Sequence, residues 1–444
     1  MPIAWRCVPG DCSSFPGFPF SADFALPSRL PRRSIAYTLT RVAGNIPGNP
    51  GRIMLQLDTK NDLRITTAPG LAPYVEAELN DLGHAPTAVH ETSVELTGSL
   101  RDCMALNLRM RTAISVLYLL KEFPCTGPED LYTHASTIAW EDIIPPDGYI
   151  CVDSRGDHPS IDNWMYVNQR VKDAVVDRMQ DQVGARPSSG PERHGIVINT
   201  YWRNDYCWIY LNTSGGKLSD RGYRRIPFKA PMTETLAAGV VLASGYDGST
   251  PFVNPMCGSG TLAIEAALLA ANRAPGLLRS NFGLMHIRGF DEKVWKDLRV
   301  ESGKQRRKAK PAPIVASDIS PEAVSAAKQN AKTAGVDHLI EFHVCDFADT
   351  PVPPPPGVVI MNAEYGQRMG DSAELERTYK RIGDFLKKQC QGYVGCIFTG
   401  NRELAKRIGL RTSRKLIFWN AKIECRLLKY ELYAGTREKS PDTQ

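Results

Sequence analysis

The sequence predicts an α/β protein in which a doubly wound, mostly parallel sheet ends in an antiparallel hairpin and follows a smaller α+β module. From about residue 250, short apolar segments typical of buried strands alternate with helical segments. A glycine-rich loop joins the first of these strands to an Ala- and Leu-rich helix. Polar residues follow several strands at their carboxyl ends, where open α/β sheets hold their ligands.

The composition excludes several classes of protein. The chain has 444 residues, of which 42% are hydrophobic and 23% charged, as is ordinary for a globular protein with two or three domains. It has no run of about 18 apolar residues, and no apolar stretch follows Arg6, so neither a membrane span nor a secretory signal is expected. The 11 cysteines include no C-x-x-C pair, which favours the reducing cytoplasm and predicts no metal site.

The N-terminal part of the chain changes character near residue 54. Residues 1–53 are rich in Pro, Gly, Ser and Arg without periodicity, and we predict that they are disordered. Met54 stands directly before the first organised segment, so a translation start at Met54 is an open hypothesis.

Residues 62–166 are predicted to form the α+β module. Strands are expected at LRITTA (63–68), SVELTG (93–98) and YICVD (149–153). Pro69 opens a predicted helix that carries Leu71, Val75, Leu79 and Leu82 on one face. The segment 99–123 has apolar residues at helical spacing and is predicted to form one long helix.

Residues 167–435 are predicted to form the main domain, and residues 436–444 a tail. The domain begins with a helix at 168–179, a hairpin that turns around Arg203-Asn204, and a helix at 232–244. The parallel strands are expected at TPFVN (250–254), PIVAS (313–317), IEFHVC (340–345), GVVIM (357–361) and YVGCIFT (393–399). A basic insertion, 275–312, separates the first two strands, and 415–433 is predicted to form a pair of strands. A parallel sheet completed by an antiparallel hairpin is the topology of class I S-adenosylmethionine (SAM) methyltransferases.

The loop after the first parallel strand is the sharpest motif. Gly258 and Gly260 have no Cβ and allow a ligand to approach the backbone closely, and Thr261 can cap the following helix. Asp318 ends the second strand, where it can accept both ribose hydroxyl protons. Asp346 ends the third strand, where it can accept from an adenine amine with Phe347 against the ring. Both acids could instead be helix caps, but two of them after a glycine loop favour nucleoside binding.

The fourth strand runs into Asn362-Ala363-Glu364-Tyr365, which places polar groups at the edge where ligands bind. The net charge of +6 is mild, but basic residues concentrate at 221–229, 304–310 and 402–415. Each of these segments could be a solvated face, but the three together modestly favour a partner with a phosphate backbone. The residues predicted to bind RNA are Arg221, Arg224, Arg225, Lys304, Arg306 and Arg307.

Several strings of the sequence resemble the THUMP-domain RNA methyltransferases, in particular the bacterial 23S ribosomal RNA (guanine-N2)-methyltransferases. They are NPMCGSGTLAIEAA (254–267), APGLLR (274–279), SDISPEAVSAAKQNAKTAGV (317–336), LSDRGYR (218–224), KAPMTETLAA (229–238) and RVKDAVVD (170–177). The preceding module is similar to the ferredoxin-like and THUMP region of that family, through APGLAPYVEAELNDLG (68–83) and LNLRMRTA (106–113). The resemblance covers roughly residues 62–435 and implies SAM as cofactor and RNA as partner.

The resemblance also implies residue roles. Gly258 and Gly260 would line the methionine part of SAM, and Asp318, Asp346 and Phe347 its ribose and adenine. Asn254, Pro255, Met256 and Ile319 complete the predicted cofactor site. Residues 362–365 occupy the place of the family's catalytic Asn-Pro-Pro-Tyr motif, so Asn362, Glu364 and Tyr365 are the predicted catalytic residues. Asn362 and a neighbouring carbonyl would bind the target amine, and Tyr365 would stack on its base.

The sequence departs from the family pattern in two places: the family normally has Asp where Asn254 stands and Pro-Pro where Ala363-Glu364 stand. A proline pair holds the backbone rigidly, and Ala-Glu need not. Three functions therefore stay open: a 23S rRNA guanine-N2 methyltransferase, a SAM- and RNA-binding protein with impaired catalysis that assists ribosome assembly, and a methyltransferase with another amine substrate, such as tRNA or a protein side chain. The oligomeric state and the modified nucleotide are not predicted.

Overall fold

The structure is a computed structural model that describes residues 55–159, 161–227, 232–307, 311–364 and 372–433. The predicted disordered extension, Met54, Tyr365 and the tail 436–444 lie outside these ranges. The described residues form two sheets with helices packed on them.

The first sheet has eight strands. They are β1 (Asn61–Thr66), β2 (Pro86–Val89), β3 (Ser93–Gly98), β4 (Ser115–Pro124), β5 (Tyr149–Asp157), β6 (Ser188–Ser189), β7 (Ile196–Arg203) and β8 (Tyr206–Asn212). Their order is β2-β3-β1-β4-β8-β7-β5-β6, with β5 parallel to β6 and β7 and the other neighbours antiparallel. The helices of this module are α1 (Ala72–Asp81), α2 (Leu100–Arg109), α3 (Pro128–Ser136) and α4 (Trp164–Val183). The strands predicted at 63–68, 93–98 and 149–153 and the helix after Pro69 are thereby confirmed.

The prediction of one long helix over 99–123 is wrong. The helix α2 begins with a capping box between Ser99 and Asp102 and ends at Met110, whose backbone is extended. The rest of the segment forms β4, which pairs with β1 on one side and β8 on the other. Pairing on both sides satisfies the backbone of β4 within the sheet, and this tertiary gain overrides the helical spacing of its apolar residues.

The predicted hairpin around Arg203-Asn204 forms, but it belongs to the first sheet. Its strands β7 and β8 lie between β5 and β4, and β7 pairs with β5 from Ile150↔Ile196 to Asp157↔Arg203. The predicted boundary at 166/167 therefore falls within the first module, which extends to about residue 213. The sequence alone did not reveal this because a hairpin pattern does not say which sheet the hairpin joins.

The second sheet has seven strands. They are β9 (Phe252–Pro255), β10 (Ile314–Asp318), β11 (Ile340–Val344), β12 (Gly357–Asn362), β13 (Tyr393–Thr399), β14 (Arg414–Asn420) and β15 (Ile423–Glu431). The order is β11-β10-β9-β12-β13-β15-β14, and β15 is antiparallel to both of its neighbours. The helices are α5 (Glu234–Ser244), α6 (Thr261–Ala270), α7 (Glu292–Lys304), α8 (Pro321–Ala334), α9 (Ser372–Gln389) and α10 (Arg402–Lys406). The predicted doubly wound sheet with a terminal antiparallel hairpin is confirmed.

Apolar clusters cover both faces of the second sheet. One includes α5, α6 and α8 through residues such as Val240, Ile264 and Ala327, and the other includes α9 through residues such as Ile382 and Phe385. Burial on both faces explains why these strands have continuous apolar sequences rather than alternating ones.

The basic insertion packs against the first module. Phe282, Leu284, Ile287 and Trp295 belong to the same apolar cluster as the core of the first sheet. At Gly276, a Cβ would lie 2.6 Å from Leu108 Cα in α2, so the close approach of the two segments requires glycine there. The insertion therefore links the two modules rather than forming a free basic loop.

Candidate functional site

The glycine loop between β9 and α6 has an unusual backbone. Met256, Gly258 and Gly260 have φ values of 58°, 55° and 83°, in the left-handed region. Such a conformation is costly for Met256, and non-glycine residues of this kind cluster at ligand sites. A Cβ placed on Gly258 would meet no heavy atom within 4 Å, so this glycine faces open space that a ligand can enter.

Gly260 has a packing role that the sequence did not predict. A Cβ at this position would lie 2.8 Å from the Cβ of Ala327 in α8. Gly260 therefore allows α6 and α8 to pack closely, and its contact with the methionine part of SAM stays a prediction. Its neighbour Gly258 is the glycine whose missing side chain leaves room for a ligand.

Asp318 lies at the end of β10 and is connected to the glycine loop. Its Oδ2 accepts a hydrogen bond from the backbone N–H of Gly258 (2.9 Å), and its Oδ1 accepts from the N–H of Ser320 (3.1 Å). The cap of α8 is Ser320, whose Oγ accepts from Ala323 N–H, so Asp318 is not that cap. Next to it, Ile319 is 71% exposed and offers an apolar surface at the same edge.

Asp346 follows β11 and already has two partners. Its Oδ1 accepts from Ala348 N–H (2.9 Å) and from Arg381 Nη2 (2.7 Å), which leaves Oδ2 for a ligand. The Arg381 guanidinium lies over the ring of Phe347 at 4.8 Å, and Phe385 meets the edge of that ring. Because Phe347 is 6% exposed, its ring does not offer a free face to adenine, contrary to the prediction.

Asn254 and Pro255 are buried at the end of β9. The Asn254 side chain is 0% exposed, and its Nδ2 donates to the carbonyl oxygen of Ile360 in the neighbouring strand (2.8 Å). Its Oδ1 is buried and has no hydrogen-bond partner among the residues that the structure describes. An aspartate would lack the N–H that bonds Ile360, so Asn254 provides a link between strands that the usual family residue cannot.

Asn362 ends β12, next to β9 in the sheet. Within the described ranges, its Oδ1 is a buried acceptor without a partner. Ala363 is 1% exposed, whereas the side chain of Glu364 is exposed and its carbonyl oxygen accepts a hydrogen bond from Tyr379 (3.2 Å). Tyr365, the other predicted catalytic residue, is outside the described residues.

Asn330 in α8 is a residue that the sequence analysis missed. It is 0% exposed, and its Oδ1 accepts from the backbone N–H groups of Arg225 and Ile226. Its Nδ2 donates to the carbonyls of Ile226 and Ser259, so it ties the linker between the modules to the glycine loop. The sequence could have predicted this role, because Asn330 is an amide on the otherwise Ala-rich inner face of a helix.

Arg221, which was predicted to bind RNA, has a side chain that is 1% exposed and therefore presents no surface to RNA in this structure. It forms a buried ion pair with Glu265 of α6 at 2.5 Å and donates to the carbonyl of Arg111 in the first module. Arg224 is also largely internal, with its guanidinium near Glu234 (3.3 Å) and Thr261. Of this basic segment, Arg225 has an exposed side chain.

The other predicted RNA-binding residues are Lys304, Arg306 and Arg307. They lie near the amino ends of the parallel strands, whereas Asn362 lies at a carboxyl end. Arg307 donates to the backbone carbonyls of Asp247 and of Ala270, which ends α6 far from the glycine loop. Lys304 and Arg306 are exposed nearby, with Arg306 Nη2 3.2 Å from His338 Nε2. In the segment 402–415, ion pairs join three of the basic side chains to acids: Arg402 to Glu424, Lys406 to Glu403 and Arg407 to Glu376.

Two kinds of feature are absent from the part of the chain that the structure describes. No helix there is long and apolar enough to cross a membrane. No group of three or more His, Cys, Asp or Glu side chains there is arranged to hold a metal ion.

The fold and the site define a class I SAM-dependent methyltransferase domain preceded by a ferredoxin-like and THUMP module. Family models match in the same order: the RlmL ferredoxin-like domain at 62–117, the THUMP domain at 125–212, and the RMKL-like methyltransferase domain at 221–429. The chain belongs to this family of THUMP-containing methyltransferases, which uses SAM as its cofactor.

The chain is similar to "Putative RNA methyltransferase slr0064" of Synechocystis sp., with 33% identity over 83% of this chain and 96% of that protein. It is also 35% identical to the ribosomal RNA large subunit methyltransferase K/L of Syntrophotalea carbinolica, over 82% of this chain and 53% of that protein. The chain thus spans about half the length of the K/L relatives that it matches.

Solved structures support the same fold. SMU.472, "a putative methyltransferase complexed with SAH", has a TM-score of 0.75 and 25% identity, over 86% of this chain and 99% of that one. A possible methylase from Clostridium difficile 630 has a TM-score of 0.77 and 26% identity, over 86% and 100% of the two chains.

Proposed function

We propose that this protein transfers a methyl group from SAM to the N2 amine of guanine in RNA, and that this RNA is 23S ribosomal RNA. The observation that carries the proposal is the buried Oδ1 of Asn362, an acceptor without a partner in the described residues at the carboxyl edge of β12. A buried acceptor without a donor is costly, and an amine N–H would satisfy it.

The residues around the glycine loop fit the cofactor. The open space at Gly258 would receive its methionine part, and the Asp318 carboxylate, which is fixed by Gly258 and Ser320, would accept from the ribose hydroxyls. Exposed Ile319 would cover one side of the adenine, and Asp346 Oδ2 would accept from the adenine amine. When bound, SAM supplies an electrophilic methyl group.

The chain's own residues would then act on the amine. The Oδ1 of Asn362 and the backbone carbonyl of Ala363 would each accept one N–H of the exocyclic amine. Holding both hydrogens reduces conjugation of the nitrogen lone pair with the ring and orients it toward the methyl group, so most of the rate gain comes from positioning. The nitrogen would bond the methyl carbon as the carbon–sulfur bond of the cofactor breaks and the neutral thioether leaves. The nitrogen would also lose one proton, which the exposed Glu364 carboxylate in the same motif would accept.

The choice of substrate is supported by the resemblance to guanine-N2 methyltransferases and by relatives that are named as ribosomal RNA large subunit methyltransferases. The THUMP module and exposed basic side chains such as Arg225 would hold the RNA. We further propose that the protein acts in the cytoplasm.

The test uses tritiated SAM with deproteinised ribosomal RNA and, in parallel, with tRNA. Mass spectrometry of the digested nucleosides should find N2-methylguanosine from the ribosomal RNA. Methylation of tRNA alone, or of adenine, would overturn the assignment of the substrate.

We predict that Asn362→Ala reduces methyl transfer by at least about a hundredfold, because an acceptor that positions the amine is lost. SAM affinity, measured by calorimetry, should stay within about twofold because the cofactor residues are unchanged. Asn362→Asp keeps an acceptor oxygen and serves as the matched control, with substantial activity expected. Equal turnover by the Ala variant and the wild type would contradict the role of Asn362.

The second candidate is a SAM- and RNA-binding protein with impaired catalysis, and Ala363-Glu364 in place of the proline pair favours it. SAM binding without methyl transfer to any RNA would support this function. A large gain in rate from the double substitution Ala363→Pro with Glu364→Pro would show that the natural dipeptide limits catalysis.

A further inference from the structure

Tyr379 connects helix α9 to the motif that follows β12. Its side chain is 0% exposed, and its hydroxyl donates to the carbonyl oxygen of Glu364 at 3.2 Å. The same hydroxyl lies 2.7 Å from Oγ1 of Thr399, at the end of β13. Thr399 Oγ1 in turn accepts from the backbone N–H of Asn401 at 3.1 Å.

These contacts form a chain of hydrogen bonds in which the donor and acceptor of each bond are determined. The N–H of Asn401 can only donate, and the carbonyl of Glu364 can only accept. The three bonds therefore exist together only if the Thr399 hydroxyl donates to Tyr379 and the Tyr379 hydroxyl donates to Glu364. The chain starts at Asn401, the N-cap of α10, passes through Thr399 at the end of β13, and ends on the backbone of the motif.

The other end of the same short segment is fixed by packing. Ala363 is 1% exposed and lies in the apolar cluster that also contains Met361 and Tyr379. The peptide between Ala363 and Glu364 is thus held by burial on one side and by the hydrogen bond from Tyr379 on the other. This peptide includes the Ala363 carbonyl, which the proposed mechanism uses as the second acceptor.

We propose that Tyr379 is a positioning residue that holds the Asn362–Glu364 backbone in place of the proline pair found in the family. This inference rests on the proposed role of Asn362 and Ala363 as acceptors for an amine. A proline pair limits the backbone by fixing φ, whereas here a hydrogen bond from a neighbouring helix limits the same backbone. Tyr379 itself does not touch the substrate.

The main test compares Tyr379→Phe with Tyr393→Phe. Both substitutions remove one hydroxyl from a buried tyrosine, and the Tyr393 hydroxyl donates to the Pro353 carbonyl (2.6 Å), outside the motif. Amide hydrogen exchange over residues 357–364 measures the mobility of the motif directly, without substrate or cofactor. Loss of one neutral hydrogen bond should speed exchange at Ala363 and Glu364 by about fivefold in Tyr379→Phe and leave it unchanged in Tyr393→Phe.

A second measurement follows catalysis. In Tyr379→Phe, kcat for RNA methylation should fall about tenfold while KM for SAM stays the same, because only the amine acceptors lose their alignment. Adding Ala363→Pro to Tyr379→Phe should restore part of the lost rate, since the proline ring replaces part of the missing restraint while the Glu364 carboxylate is kept.

The outcomes separate the two proposals. Equal exchange in Tyr379→Phe and Tyr393→Phe would overturn the role of Tyr379, whatever the activity. A wild-type protein that transfers no methyl group to RNA would overturn the proposed function, while the exchange experiment would still decide whether Tyr379 holds the motif. If Tyr379→Phe unfolds, Thr399→Val removes the preceding hydroxyl of the chain and should raise exchange in the same segment; unchanged exchange in that variant would overturn the proposal.

Discussion

At the scale of single residues, two neighbouring amides explain why the site favours a ligand. Asn254 and Asn362 lie on adjacent strands, and each has a buried Oδ1 without a partner in the described residues. Each such atom costs about 1–3 kcal/mol in the free protein. Under the proposed function, the amine of the substrate would recover part of that cost at Asn362, so a position that is poor for stability would be good for binding.

Glu234 is another residue whose environment is unfavourable for its charged form. It lies at the start of α5 and is 6% exposed. Burial raises the pKa of Glu234 from 4.5 to about 7, although the nearby Arg224 guanidinium opposes the shift. Because the folded-state pKa is the higher one, Glu234 contributes most to stability below pH 4.5 and this contribution is lost as the pH rises through 7.

We therefore predict that the melting temperature of the wild type falls between pH 5 and pH 8 relative to that of Glu234→Gln, which has no titrating carboxyl. Thermal unfolding at several pH values in the two variants measures this difference. Glu403→Gln, at an exposed position on α10, is the control and should follow the wild type. A constant difference between wild type and Glu234→Gln over this range would contradict the prediction.

At the scale of elements, two glycines within three residues of the glycine loop have different surroundings. Gly258 and Gly260 both have positive φ, so a side chain strains the backbone at either position by about 1 kcal/mol. Only Gly260 also meets a neighbouring helix, at Ala327 Cβ, and only Gly258 faces open space. The loop thus needs its two glycines for two different reasons.

We predict that Gly260→Ala lowers the melting temperature clearly more than Gly258→Ala, because α6 and α8 must move apart to accept the added methyl group. Gly258→Ala should instead weaken SAM binding by at least about tenfold, since its methyl group enters the space reserved for the ligand. Calorimetry of SAM binding and thermal unfolding of both variants provide the test, and each variant is the control for the other. The reverse pattern of effects would show that the roles of the two glycines are exchanged.

At the scale of the whole molecule, a buried ion pair joins the two modules. Arg221 contacts Glu265 of the second module and the Arg111 carbonyl of the first. Burial raises the pKa of Glu265, and the Arg221 charge opposes this shift. Tyr223 also donates to Glu265 (2.9 Å), so the carboxylate is satisfied only when the linker is in place.

We predict that Arg221→Met costs about 3–5 kcal/mol in the free energy of unfolding, because it leaves the Glu265 carboxylate buried without its counter-charge. Adding Glu265→Gln, which still accepts from Tyr223, should recover part of the loss. Arg155→Met removes an ion pair from the surface and should change stability by less than about 1 kcal/mol. Urea unfolding measures the stability of all three variants. If Arg221→Met is as stable as the wild type but binds RNA more weakly, this prediction is wrong and the role in RNA binding predicted from the sequence is supported.

The sequence by itself determined the features that depend on local patterns. Apolar runs gave the parallel strands, and the polar residues after them gave the edge where Asp318, Asp346 and Asn362 lie. This succeeds because a buried strand must be apolar along its length, whatever packs on it. The glycine loop was equally visible, since its backbone conformation depends on the residues of the loop itself.

Only the tertiary structure decided the features that depend on partners distant in the chain. The segment 115–124 is a strand because β1 and β8 pair with it, and the hairpin β7–β8 joins the first sheet because β4 and β5 flank it. Arg221 is internal because Glu265 and Arg111 meet it, 44 and 110 residues away along the chain. Burial, charge pairing and the sheet that a strand joins are set by the sum of such contacts, and no local window of sequence contains both partners.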